Sequence, residues 1–275
     1  MPKPVAISQF LPTLLIPKSD RTLLQELATM LVKHNFDEFT KFGVTKDGRP
    51  DSRQWIRIRK TKRIRIYQER RCSKHFPSPI SSLLSLGSVT GRLEDVMNDT
   101  LASLNKSSNF RSSCIHVGLV DSQVLEELVS PTTEDPYHHV SLQWRLFNDR
   151  DYVTLDTTGM MKTPWGERIG YNISHSVGFS QLPEFTTRGI SRGNMSVCSI
   201  YSQKAQNIVE CYTRGFYDRS TDTHNHAMLA LQNMTSRSLS LSCRMECMHM
   251  KKFARHLRKY KDDSGILFNT KQEDV

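Results

Sequence analysis

Apolar and polar residues alternate strictly over residues 167–177. Ile169, Tyr171, Ile173, His175 and Val177 fall on one side, and Arg168, Gly170, Asn172, Ser174 and Ser176 on the other. A period of two is that of a strand, whose successive side chains point to opposite faces. The same period recurs over 137–147, where Val140, Leu142, Trp144 and Leu146 alternate with polar neighbours. Further strands are expected at 151–157, 194–203 and 208–217. Earlier in the chain, 54–59, 63–69 and 82–89 read as three shorter strands. Ile56 and Ile58 are expected on one face of the first, opposite Trp55, Arg57 and Arg59. Ile64 and Ile66 are expected to point inward from the second, with Arg63, Arg65 and Tyr67 outward.

Helical spacing occurs in four places. Asp20 can cap a helix starting near Arg21. Leu23, Leu24, Leu27, Met30 and Leu31 give it an apolar face, and Phe36, Phe39 and Phe42 carry it toward Gly43. Leu93, Val96, Met97 and Leu101 define a second helix over 93–104. Asp121 or Ser122 is placed to cap a short third one, which runs through Val129 and stops before Pro131. Beyond Gly215 there is no glycine until Gly265 and no proline, which suits a long helix over 222–258. Its apolar stripe is Ala227, Leu231, Met234, Leu241, Met245 and Met248.

The order is therefore helix, three strands, two helices, five strands and a long terminal helix. The economical arrangement is α+β: a curved antiparallel sheet wrapped around the C-terminal helix, each burying the apolar face of the other. Residues 1–18 read as a proline-punctuated tail, 19–258 as one domain and 259–275 as a polar tail.

At 275 residues such a domain buries about 75% of its unfolded surface, so it needs neither disulfides nor metal for stability. Pro12 and Pro17 interrupt the apolar stretch near the N-terminus, which excludes a secretory signal there. No run approaches the roughly 18–20 apolar residues of a membrane span. The expectation is a cytoplasmic or membrane-peripheral protein whose six cysteines are reduced, with Cys198 and Cys211 as packing residues in strands. His138, His139, His224 and His226 read as solvated or capping groups. No nucleophile elbow, phosphate loop, dinucleotide fingerprint or His-Glu-x-x-His is present. Cys243 and Cys247 share a helix face but lack the four ligands of a structural zinc, so no metal or cofactor is expected.

Several stretches, in order, resemble one family. They are Trp55 with Arg63–Arg70, Ser82-Leu83-Leu84 through Gly87-Ser88-Val89, and Leu93-Glu94-Asp95-Val96-Met97. Pro131–Pro136, Arg150-Asp151-Tyr152-Val153, Gly166–Tyr171 with His175-Ser176-Val177, Arg192-Gly193, Gly215-Phe216 and His249-Met250-Lys251-Lys252 follow. Over roughly 20–253 the chain resembles the START-like lipid-binding domains of oomycetes, which are often fused to a FYVE zinc finger. No zinc-ligand pairs follow Lys252, so that finger is expected to be absent. The resemblance implies a helix-grip fold with an internal lipid or sterol pocket.

Three candidate regions follow. Cavity lining is expected from Leu142, Trp144, Val153, Leu155, Tyr171, Ile173, His175, Val197 and Tyr212, with Met228, Leu231 and Met234 from the terminal helix. Arg150 and Arg192 are candidates for a headgroup contact, on the resemblance and on their charge within strand-rich sequence. The segment Met160-Met161-Lys162-Thr163-Pro164-Trp165-Gly166 is expected to be a loop carrying apolar groups at its tip. By the resemblance it is a gate, with Met160, Met161, Pro164 and Trp165 at the membrane.

The net charge is +10, and much of the excess lies in Arg57, Arg59, Lys60, Lys62, Arg63 and Arg65. Such a cluster suits an anionic membrane surface, with nucleic acid the less favoured partner. Two rival readings stand beside lipid binding. One is a polyketide-cyclase or aromatase type of enzyme using His175 and Tyr171. The other is a protein-interaction module with a filled core.

Overall fold

The computed structural model describes residues 6–43, 48–61, 63–70, 80–104, 119–147 and 149–218, together with Met245, Met250, Arg255 and His256. The first helix, α1, spans Lys18–Lys41 and is entered from Pro17, whose carbonyl accepts from the Arg21 N–H at 3.0 Å. It therefore begins before Asp20, which lies in its first turn instead of capping it. Its inward stripe is Leu24, Leu27, Ala28, Leu31, Val32, Phe36 and Phe39; Leu23 and Met30, expected on that stripe, are exposed.

Strands β1 (Trp55–Lys60), β2 (Ile64–Glu69) and β3 (Ile80–Thr90) precede helix α2 (Leu93–Leu104). Then come β4 (Leu119–Val129), β5 (His139–Phe147), β6 (Arg150–Lys162), β7 (Arg168–Ser176), the short β8 (Ser191–Arg192), β9 (Met195–Ala205) and β10 (Ile208–Asp218). All belong to one ten-stranded sheet in the order β1-β2-β3-β10-β9-β7-β6-β5-β4, with β8 parallel to β6. The other pairings are antiparallel.

Residues 119–129 correct the expected third helix. Gln123–Val129 has helical local character, but the segment pairs with β5 through a register that shifts at three places. Cross-strand pairing overrides local propensity here. Asp121 does not cap a helix; its Oδ2 accepts the Ser8 N–H at 2.7 Å, tying the N-terminal segment to this edge. Most of the expected helix over 222–258 lies outside the described residues, and Met245, Met250, Arg255 and His256 are helical.

The sheet is covered on both faces. On one, the α1 face, Val140, Leu142, Trp144, Leu146, Val153 and Leu155 pack with Leu14, Leu24, Leu27, Ala28, Leu182, Phe185 and Ile190. Further along, Trp55, Tyr67, Leu84, Ile169, Ile173, Cys198, Ile200 and Tyr212 pack with Leu31, Val32, Phe36, Phe39 and Phe42. Each large apolar side chain buried there contributes roughly 1.5–3 kcal/mol. Tyr67, expected outward, is thus buried, because α1 covers the face that a two-stranded reading leaves wet.

On the opposite, α2 face, Gly170 lies directly under Met97, and a Cβ there would collide with the Met97 thioether. Met245 packs in the same cluster as Met97, so Met245 and α2 share this face.

Candidate functional site

The strand register assembles a polar band on the α2 face. One transverse row runs His139, Thr158, Asn172, Ser199, Thr213 and Ser85 across β5, β6, β7, β9, β10 and β3. The adjacent row holds Ser141, Asp156 and Ser174, and the next Gln143, Thr154 and Ser176. Apart from Asn172 and Ser176, which are half-buried, all of these are buried.

Apolar clusters flank the band. Val89, Leu93, Val96, Met97, Tyr201, Val209 and Met245 lie toward one end, with Met160 and Cys211 against them. Leu83, Tyr152, Met195, Val197 and Tyr217 lie toward the other.

Within the band Arg145 of β5 forms an ion pair with Asp156 of β6. Asp156 is 0% exposed, and Arg145 also donates to Thr154 Oγ1 at 3.0 Å, which in turn donates to Asp156 Oδ1 at 2.8 Å. The guanidinium thus serves two acceptors at once, the geometry a buried pair needs if mutual attraction is to offset desolvation.

The expected cavity residues are divided by the sheet. Leu142, Trp144, Val153, Leu155, Tyr171, Ile173 and Tyr212 belong to the α1 face, where they pack into the clusters under α1. His175 shares that face by register, opposite Ser196, whose Oγ is 3.0 Å from His175 Nδ1. Val197 and Arg150 lie on the α2 face. Alternation tells which residues share a face, but both faces here are covered, and the more apolar one is taken by α1. Met228, Leu231 and Met234 lie outside the described residues.

The two arginines have structural partners. Arg192 makes a two-pronged pair with the buried Asp151, both contacts 2.8 Å, and also donates to the Pro183 carbonyl at 2.9 Å. The Trp144 indole donates to the same carboxylate at 2.7 Å. Arg150, buried beside Tyr152, pairs with Asp218 at 3.3 Å. Burial pushes the Tyr152 hydroxyl up to about 12.

The loop expected over residues 160–166 is shorter than predicted. Met160 and Met161 lie within β6 and point to opposite faces, Met160 to the α2 cluster and Met161 to the α1 cluster. The turn itself is closed by Thr163 N–H to Glu167 O at 2.8 Å and Gly166 N–H to Thr163 O at 2.9 Å. Gly166 has φ +87°, a left-handed conformation that favours glycine. Pro164 and Trp165 stand at the tip, and Trp165 is 63% exposed with its indole donating to Glu167 at 3.2 Å. An open polar cleft of about 660 Å³ lies at the foot of this turn, between Arg168, Gln203 and the start of α2. Its charges are partly paired, Arg168 to Glu94 at 3.2 Å.

The basic strand β1 is an edge. After the buried Trp55, its residues Ile56 to Lys60 are all exposed, so Arg57, Arg59 and Lys60 face solvent, and so do both isoleucines. Arg63 is exposed and Arg65 half-buried; Lys62 lies outside the described residues.

His175 and Tyr171 share the α1 face rather than the polar band. Burial lowers the His175 pKa and raises that of Tyr171. Cys198 and Cys211 are free, as packing residues would be, and burial pushes both thiols up to about 12. His139 departs from the expected solvated role: it is 1% exposed. Among the described residues no group of three or more His, Cys, Asp or Glu is placed to hold a metal. Cys243, Cys247 and His249 lie outside them.

Arg145, Asp156, His139 and Asn172 were missed by periodicity, which assigns polar strand positions to solvent. A signal was present. The central α2-face positions of these strands, His139, Ser141, Gln143 and Arg145 of β5, Thr154, Asp156 and Thr158 of β6, and Asn172, Ser174 and Ser176 of β7, are hydroxyls, amides and an imidazole with one Arg–Asp pair, and none is Lys or Glu. Solvent-facing strand positions usually take those long charged side chains.

Comparison with solved structures gives the architecture. Human StAR-related lipid transfer protein 5 superposes with a TM-score of 0.54 at 14% identity, over 83% of this chain and 99% of that one. This chain has the START-like helix-grip fold. Two further START-like neighbours match at 13% and 11% identity. They are the lipid transfer and protein localization domain of human StarD13 (TM-score 0.48, 78% of this chain, 95% of that) and a STAR-related lipid transfer protein fragment from Xanthomonas axonopodis (TM-score 0.48, 70% and 99%). No family model matches the sequence, and no curated protein does. Among the described residues, no helix is long and apolar enough to cross a membrane.

Proposed function

We propose that this chain binds a lipid or sterol between the α2 face of its sheet and its C-terminal segment, and that it transfers or senses that guest without catalysing a reaction. The observation that carries the reading is the make-up of the face: two buried apolar clusters separated by a buried polar band with the Arg145–Asp156 pair. A lipid has the same division. Its hydrocarbon gains about 0.8 kcal/mol per buried methylene, while its head needs partners in an interior that penalises unpaired polar groups. The START-like architecture supports the reading, since human StAR-related lipid transfer protein 5 is by name a lipid-transfer protein.

The lining is accordingly assigned to Met160, Val197 and Tyr201 around the polar band. Leu142, Trp144, Val153, Leu155, Tyr171, Ile173 and Tyr212 support this wall from behind. Delivery takes place at a membrane surface, with Pro164 and Trp165 entering the interface. Arg57, Arg59, Lys60, Lys62, Arg63 and Arg65 are drawn to anionic lipid at about 1 kcal/mol each. The protein is then cytoplasmic and membrane-peripheral.

Native mass spectrometry of the purified chain tests the reading. One lipid class at near-stoichiometric amount is the expected result. A protein that purifies without lipid and takes none from vesicles overturns it and favours a protein-interaction module. Turnover of a carbonyl substrate that disappears in His175→Ala would favour the cyclase reading.

A further inference from the structure

Two acceptors in the polar row have no hydrogen-bond partner. Asn172 Oδ1 is shielded from solvent and accepts nothing, and His139 Nδ1 is likewise buried and unpartnered. The neighbours that could donate are engaged elsewhere. Thr158, which lies between them, donates to the Tyr137 carbonyl at 2.9 Å. Ser199 and Thr213, on the far side of Asn172, bond each other at 2.9 Å.

The His139 ring is oriented by its other nitrogen, Nε2, which sits 3.5 Å from the Glu127 carboxylate. With the proton on Nε2, toward that carboxylate, Nδ1 is a lone pair. Burial lowers the His139 pKa, which keeps the ring neutral. Both orphaned atoms are therefore acceptors, two strands apart in one row, a separation of roughly 10 Å from the ordinary strand spacing. Buried acceptors without donors are uncommon in native interiors and call for a specific reason.

We infer that this row reads the polar end of the guest, and that it selects lipids bearing hydrogen-bond donors — free hydroxyl or amide groups — over lipids whose heads carry acceptors only. The inference rests on the lipid-binding reading above and specifies its ligand class. A hydroxyl or amide N–H supplies what Asn172 Oδ1 and His139 Nδ1 lack. A choline phosphodiester head has no donor and leaves both acceptors unsatisfied, with its own desolvation added. Sites that bury an unpaired polar group against the wrong guest discriminate strongly, because the penalty falls only on that guest.

The test uses the full chain and vesicles holding equal amounts of cholesterol and dioleoylglycerol, their O-methyl ethers, and dioleoylphosphatidylcholine. Lipid bound after repurification is counted by mass spectrometry. The wild type is expected to take each free-hydroxyl lipid that it binds over its own ether by at least about tenfold. In Asn172→Leu that ratio falls to within about threefold; in Asn172→Asp, which preserves an acceptor, it persists. Should Asn172→Leu fail to fold, His139→Phe carries the same expectation. Equal uptake of alcohol and ether by the wild type overturns the inference and leaves lipid binding intact, as does an undiminished ratio in a folded Asn172→Leu protein. Uptake of no lipid in the panel overturns the lipid-binding reading itself.

Discussion

Arg145 and Asp156 form an ion pair on the α2 face of two neighbouring strands, and Asp156 is fully enclosed. Removing one partner strands the other charge in the interior. Arg145→Met is expected to cost about 3–5 kcal/mol, read as a fall in the urea midpoint. The double variant Arg145→Met with Asp156→Leu is expected to recover most of that loss, because no buried charge remains. A single variant as stable as the wild type would mean that the pair is hydrated rather than enclosed.

Gly170 and Met97 set the closeness of α2 to the sheet. Gly170→Ala is expected to destabilise by about 1–3 kcal/mol, the usual cost of overpacking. Combining it with Met97→Ala should restore part of the loss, since the added methyl then has room. Thermal unfolding of the three variants measures this coupling; strict additivity would show that the two residues are not in contact.

Burial lowers the folded-state pKa of both His139 and His175 below the ordinary 6.5. The unfolded chain then binds more protons than the folded one in the window below 6.5, so stability rises with pH there. The stabilisation is fully present above the unfolded value and is lost as pH falls from about 6.5 toward the lower folded values. Urea denaturation at pH 7 and pH 5 should therefore give a lower midpoint at pH 5. His139→Gln combined with His175→Gln should flatten the histidine part of that slope.

Trp165 is exposed at the tip of the β6–β7 turn, so Trp165→Ala should change stability by no more than about 0.5 kcal/mol. Co-sedimentation with anionic vesicles is expected to fall several-fold in this variant. Raising salt should weaken binding of the wild type further, because the exposed Arg57, Arg59 and Lys60 act through screened charge. Unchanged sedimentation would remove the turn from the membrane contact.

The candidate site was less legible in the sequence than the architecture around it. Strands β5, β7, β9 and β10 and helix α2 were readable because each carries its own period, and the pleat or the helical turn imposes that period locally. Residues 119–129 were misread because a short segment such as Gln123–Val129 satisfies a helix as well as a strand, and only the partner strand β5 selects between them. The β6–β7 loop was misread by three residues at its start: β6 continues through Met160, Met161 and Lys162 because β7 offers partners as far as Arg168.

Local chain chemistry was enough to establish that Ile169, Tyr171 and Ile173 share one side of a strand and Asn172 and Ser174 the other. It could not assign a covering layer to either side, since that depends on contacts far apart in the chain. Folding sends the more apolar side under α1 and closes it. The hydroxyl-rich side is turned toward α2 and Met245, where water is excluded and Arg145 and Asp156 must find each other. Side-chain direction follows from backbone geometry within a few residues; the dielectric surroundings of a side chain follow from what the rest of the molecule lays over it.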